Sequence, residues 1–417
     1  MRLKRILAGM LRVWRHEVAR LQPSGLFTWR YLRPRLPPKQ AMHRALWWRS
    51  RNRLPRLLWL PLEVFRILHW QCIGYRRALD VTVAACAEQV VKTEGIAVAL
   101  LRSRISAWAR HWCIPPEEAY THGLYRDDMD GLSLLYAAEL LPYHRLMNSR
   151  HGAGQADYRI VQDKQRLAER LAGIGIPMAA TVRMSDGNSE DLASALTATG
   201  AVFCKLRFGS RGESAFMAEP SGAGMIGWTL AGSRLDSEAA VLAAWKALTG
   251  KGPVLIQPYL RNHPVLQVLS PGADSITLRV ITRMQGDTTA VWTGLLYVQA
   301  PGDLQEREFW LLKIDAESGK AFDAFGHWLD SDNDAENAAN GCSQRRMLDG
   351  QAIPFWQDTV RHSMQAHAAL PRLWSIAWDW IITPDGPFLL EGNAGWDLSP
   401  LQVLGVDFVQ LAAAEGL

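Results

Sequence analysis

Apolar residues recur at Leu3, Leu7, Met10, Trp14, Val18 and Leu21, with Arg and Lys between them. That spacing predicts an amphipathic helix over residues 1–21. Residues 22–56 lose the period and are rich in Pro, Arg and Trp, which predicts irregular structure or short helices. Residues 57–112 keep helical patterning throughout. Pro115-Pro116-Glu117-Glu118 restarts a helix after a break, and 132–146 predicts another. From Gln162 the texture changes. A helix opening at Asp163-Lys164 and running to about Ala172 is followed by strand-like segments at 179–184, 201–205, 254–257, 275–283, 289–298 and 309–314. Helices are expected at 191–199, 237–248 and 355–370, and a polar loop at 330–350. Strands with interspersed helices and no steady βαβ rhythm predict an α+β fold and argue against a doubly wound sheet.

Chemistry-bearing positions fall within this pattern. Residues 376–383 are apolar and largely β-branched, Pro384-Asp385-Gly386-Pro387 is turn chemistry, and 388–391 is a second apolar run. A hairpin folded about Asp385 sets Asp379 opposite Glu391 and puts Asn393 on the same strand face. Two carboxylates and an amide oxygen form a hard, all-oxygen donor set that suits Mg²⁺. Residues 202–205 form a strand ending in Lys205, followed by a loop with Gly209, Ser210 and Gly212. Such glycines let backbone N–H groups approach phosphate, and the lysine supplies a point charge. No Gly-Lys-Ser/Thr follows, so this is not a Walker A loop. Arg279 alternates with apolar residues on its strand and needs an anionic partner there.

The Asp379…Glu391-Gly392-Asn393-Ala394-Gly395 order resembles the metal-binding end of the ATP-grasp superfamily. It is most similar to the sugar-transfer-associated, alpha-L-glutamate ligase-like branch, linked with polysaccharide gene clusters. The resemblance covers roughly residues 150–410 and implies two α+β subdomains clamping ATP. It implies Mg²⁺, with Mn²⁺ as a substitute, on Asp379, Glu391 and Asn393. Lys164 and Lys205 would contact the nucleotide phosphates, under a lid containing Gly209, Ser210 and Gly212. Leu206 stands where the family usually has Pro. Gln257, Tyr259 and Leu260 would meet adenine, with His263 near the ribose. Arg279 would face the γ-phosphate or an acyl phosphate, with Lys313 a further phosphate-side position. The implied activity is an ADP-forming carboxylate–amine ligase working through an acyl phosphate on a polysaccharide or cell-surface precursor. A phosphotransferase of the same fold and a non-catalytic nucleotide-binding scaffold in a membrane glycan-assembly complex are the alternatives.

Composition adds an N-terminal peculiarity. The 417 residues exceed one ordinary domain. The expected division is a basic helical region at 1–75, a helical region at 76–150 and an ATP-grasp domain at 151–417. The basic region stands where a Rossmann-like domain usually precedes this fold. The net charge of +5 conceals 13 Arg and 2 Lys against Glu17 alone in residues 1–60. Such a segment could meet nucleic acid, an anionic membrane surface or the acidic remainder of the chain. No nucleic-acid motif is present, so nucleic acid is the unlikely partner and the membrane ranks first. Five scattered cysteines without a C-x-x-C pair give neither a zinc site nor a disulfide framework and fit a reducing cytoplasm. No secretory signal is evident, and no run approaches about 20 apolar residues. A cytoplasmic protein, peripheral at the inner face of the membrane, is the resulting expectation.

Overall fold

The computed structural model describes residues 22–50, 55–209, 214–222, 224–230, 233–267, 276–299, 309–323 and 350–414. The helix expected at 1–21, the loop residues Ser210 and Gly212, and nearly all of the polar loop at 330–350 lie outside them. The chain divides into two units, residues 1–147 with 397–417, and residues 148–396.

The first unit is helical: α1 (Pro38–Arg49), α2 (Arg56–His69), α3 (Tyr75–Glu94), α4 (Val98–Trp112) and α5 (Pro116–Thr121), then α6 from Ala137 to Arg150 across the unit boundary. One π turn, Trp70–Gly74, joins α2 to α3. α3 ends at Gly95 with φ +69, a left-handed stop that glycine adopts without strain. Leu79, Val83 and Val90 of α3 pack with Leu101, Ile105 and Ala109 of α4 as the core. The helix expected from 132 starts instead at Ala137. The Asp130 carboxylate accepts from Leu132 N and Ser133 Oγ at 3.0 Å each and holds those residues as a turn. Residues 397–414 complete this unit. Gln402 bonds both backbone groups of Leu135, at 2.5 and 2.9 Å, and Tyr143 Oη donates to Phe408 O at 3.1 Å.

The second unit carries α7 (Gln155–Gln162), α8 (Lys164–Ala172), α9 (Ser189–Thr199), α10 (Glu238–Thr249), α11 (Trp356–Ala368) and two six-stranded antiparallel sheets. One sheet has the order β1-β6-β2-β3-β4-β5, comprising β1 (Arg183–Ser185), β2 (Val202–Leu206), β3 (Phe216–Ser221), β4 (Gly224–Thr229), β5 (Arg234–Leu235) and β6 (Val254–Pro258). α9 and α10 cover it, with Leu192, Leu196, Val241 and Trp245 packed on Val202, Cys204, Phe216 and Ile256. The other has the order β10-β9-β8-β7-β11-β12, comprising β7 (Thr277–Gln285), β8 (Thr288–Gln299), β9 (Phe309–Ile314), β10 (Ala321–Asp323), β11 (Ser375–Thr383) and β12 (Gly386–Asn393). Its core joins Leu278, Val280, Leu296 and Leu312 to Trp356, Trp378 and Trp380. Helices interspersed with two antiparallel sheets make the fold α+β.

The strand expected at 179–184 shortens to β1. Its first residues turn to the other sheet instead, where Ala179 N donates to Leu389 O at 3.4 Å and Met178 bridges Leu389. The segment leading into β1 is therefore held against β12 of the other sheet.

Candidate active site

The hairpin β11–β12 turns at Pro384-Asp385, with Thr383 paired to Gly386 and Trp380 to Leu389. Continued straight, that register would put Asp379 opposite Leu390. A β-bulge between Asp379 and Trp380 shifts it by one, so Asp379 pairs with Glu391. The expected pairing is present, but the bulge produces it and the turn alone does not. A bulge leaves one residue outside the ladder, and here the freed Leu390 carbonyl accepts from Lys205 Nζ at 3.2 Å. Gly392 pairs with Trp378, whose ring would lie 2.8 Å from any Cβ added there. A glycine between the glutamate and the asparagine is thus a packing requirement.

Register extends this position across the sheet. Glu391, Asp379, Arg279, Leu295 and Lys313 are direct neighbours on β12, β11, β7, β8 and β9. Paired residues of antiparallel strands project from the same face. Arg279 clasps Asp379 through Nε–Oδ1 at 2.7 Å and Nη2–Oδ2 at 2.9 Å. Its guanidinium also lies 4.7 Å from the Tyr297 ring centroid and donates to Tyr297 Oη at 3.3 Å. Among the described residues, these contacts engage three of its five N–H donors.

Two lysines approach from the other side. Lys164 opens α8 and reaches Glu391 Oε2 at 3.2 Å and the Gly209 carbonyl at 2.8 Å. Asp163 caps that helix and takes both Arg207 Nε and Nη2, at 2.8 and 2.7 Å. This clasp ties the start of α8 to the end of β2, where Lys205 is buried. The N-cap position of Asp163 was the only sequence signal for it, and Arg207 and Tyr297 carried none.

Burial sets the electrostatics. It pushes the Lys205 ammonium down to about 8, against the pull of Glu391. Burial also raises the Asp379 carboxyl, with Arg279 opposing. Arg279 itself is raised, because the attraction of Asp379 and Tyr297 outweighs the cost of burying its charge. Glu391 goes the other way. Burial would raise it, but Lys164 and Lys205 together lower it. Three cations thus surround two carboxylates, leaving the cluster one positive charge in excess and suited to a further anion.

Asn393 Nδ2 donates to Asp379 Oδ2 at 3.1 Å and to Glu391 Oε1 at 3.4 Å, so an N–H donor lies between the carboxylates. A divalent cation fits the same donor set. A half-turn of the amide presents Oδ1 beside the two carboxylates and completes a hard oxygen triad.

In sequence, the profile of the sugar-transfer associated ATP-grasp family matches residues 143–410. The chain belongs to this family. No curated protein matches it in sequence. Solved structures similar to it include the ATP-grasp ligase PsnB with a minimal precursor, at 14% identity and TM-score 0.37 over 65% of this chain and 67% of that one. D-alanyl-alanine synthetase A from Vibrio cholerae shows 13% identity and TM-score 0.36 over 62% and 65%. N5-carboxyaminoimidazole synthase from Aspergillus clavatus shows 14% and 0.34 over 57% and 46%, so the chain spans under half of that protein.

In this ATP-grasp chain the other expected positions fall as follows. Gln257 lies on β6, and its side chain is buried with Nε2 donating to Ala179 O at 2.8 Å. Tyr259 N bonds Ala201 O at 2.9 Å, and Leu260 is half-buried beside it. His263 N bonds Ile382 O at 2.6 Å. Lys313 is half-buried at the end of the charged row, beyond Leu295. Gly209 has φ +137, a glycine conformation that turns its carbonyl to Lys164.

Proposed function

We propose that the protein is an ATP- and Mg²⁺-dependent carboxylate–amine ligase. Membership of the ATP-grasp family supports nucleotide use. The observation carrying the reading is the convergence of Lys164, Lys205 and Arg279 on the Asp379–Glu391–Asn393 triad. Lys164 and Lys205 would bind and orient the γ-phosphoryl. Arg279 holds Asp379 and would turn its remaining donors to an incoming phosphate. Asp379, Glu391 and Asn393 would hold the metal ion, which neutralises phosphate charge when bound. A substrate carboxylate oxygen then attacks the γ-phosphorus, the bond to the bridging oxygen breaks, and ADP leaves. An amine displaces phosphate from the resulting acyl phosphate and loses a proton. No side chain acts as nucleophile, so positioning and charge neutralisation carry the rate.

The sugar-transfer association of the family favours a polysaccharide or cell-surface precursor as the carboxylate. Gln257, Tyr259, Leu260 and His263 are proposed to line the nucleoside side, Lys313 the outer phosphate side, and the ATP-grasp domain to begin near residue 151.

Hydroxylamine offered in place of the amine should trap a hydroxamate, with uronic acids, amino acids and hydroxy acids as the first carboxylates. ADP and phosphate are the expected products. AMP and pyrophosphate, or a stable phosphorylated product without amine dependence, would remove the ligase reading. Glu391→Gln should abolish turnover while the protein stays folded.

A further inference from the structure

Helix α2 is reversed relative to a water-facing surface helix. Two of its ionic side chains, Glu63 and Arg66, are fully buried beside Trp59 and Ile67, while Arg56 at its start is exposed. Glu63 accepts from Ser24 N and Oγ at 2.7 Å each and from Trp47 Nε1 at 3.2 Å, so its charge is satisfied inside. On the opposite side Leu57, Leu58, Phe65 and Leu68 are 88, 52, 56 and 48% exposed, and Ile73 in the following π turn is 65% exposed. A surface helix ordinarily turns its leucines inward and its charges outward. A continuous outward strip of large apolar side chains marks a surface that meets something apolar.

The surroundings of the strip are basic. Glu63 is the only acidic residue between positions 22 and 77. Arg30, Arg33, Arg35, Arg56, Arg76 and Arg77 are all exposed. At the π-turn end, next to Gln71 and Cys72, lies a cleft of about 470 Å³ lined also by Trp29, Arg30, Arg110, His111 and Trp112. Among the described residues no acidic side chain lines it, and Arg30 stacks on Trp112 at 5.9 Å. A second copy of the chain seated two-fold on this face would bring two arginine clusters together. Nucleic acid would use the arginines and leave the leucines in water. An anionic bilayer satisfies both.

We propose that the outward face of α2 docks the protein peripherally on an anionic phospholipid surface. The leucines and Phe65 enter the acyl boundary, the arginines meet the headgroups, and the Trp29–Trp112 cleft receives a headgroup phosphate. No helix of the described residues is long and apolar enough to cross a membrane, so the contact lies on the bilayer. It also extends beyond the contact expected of residues 1–60, because Phe65, Leu68 and Ile73 of this surface follow that segment. The inference is independent of the ligase reading.

The full chain should co-sediment with vesicles containing phosphatidylserine and at least about tenfold less with pure phosphatidylcholine. The triple variant Leu57→Gln, Phe65→Gln, Leu68→Gln should lose binding by at least about tenfold with its circular dichroism and melting midpoint unchanged. Should that variant misfold, the test passes to Cys72, labelled with an environment-sensitive fluorophore in a Cys342→Ser background. Its emission should shift blue on phosphatidylserine vesicles and be quenched by spin-labelled acyl chains. Absent binding of the unaltered chain, undiminished binding of a folded triple variant, or an unchanged Cys72 label would each overturn the proposal. So would a dimer that the triple variant dissociates, with no vesicle binding.

Discussion

Burial holds the Lys205 ammonium near 8 against an ordinary 10.5, at a cost to the folded state. The unfolded chain therefore binds more protons than the folded one between those values, and stability contributed at this position rises with pH across that window. Relative to Lys205→Met, wild type should gain roughly 3 kcal/mol between about pH 7 and 11, measured by urea unfolding of both proteins. An arriving phosphate would reverse the depression. Nucleotide binding at about pH 8.5 should then take up a proton, seen by calorimetry in buffers of different ionisation enthalpy, and Lys205→Met should abolish the uptake. Asp379 makes a poorer probe. Removing it strands the Arg279 charge, and breaking a buried pair from one side costs about 3–5 kcal/mol, so lost activity could reflect lost structure.

At the level of elements, the start of α8 shows how one side chain serves two roles. Asp163 caps the helix through Gln165 N and Arg166 N and also clasps Arg207. Asn retains a cap and loses the ion pair, whereas Ala loses both. Asp163→Ala should be less stable than Asp163→Asn by about 1 kcal/mol in denaturant titration, and both should weaken nucleotide binding by loosening Lys164. Equal stability of the two variants would show that the cap contributes nothing. The helix start at Asp163-Lys164 was legible in the sequence, as were the β11–β12 hairpin and the strand carrying Arg279, because apolar alternation and turn residues act locally. The β3–β4 hairpin was not legible. Its strands contain Pro220, Gly224 and Gly227, and Gly227 is there because a Cβ would lie 2.3 Å from the Met217 carbonyl oxygen. β10, three residues long, is too short to carry a period. The bulge at Asp379 was invisible for a different reason, since it arises where β11 must match β12 and β7 at once.

For the whole molecule, the feature hidden from sequence patterning is the discontinuity of the helical unit. Residues 397–414 look like an ordinary continuation of what precedes them, yet Gln402 satisfies the buried backbone of Leu135. Gln402→Ala leaves that N–H and C=O unpaired and should destabilise the helical unit by about 2 kcal/mol. Nucleotide affinity, read by calorimetry, should be unchanged, because the proposed site is built from the other unit. The same discontinuity orders events during synthesis. Residues 148–396 leave the ribosome as a complete unit and can fold at once. The helical unit, begun first, cannot close until the segment carrying Gln402 and Phe408 has been translated. Until then the surfaces around Leu135 and Tyr143 stay open, so the nascent chain presents apolar surface to chaperones for as long as the ribosome takes to make the intervening 249 residues.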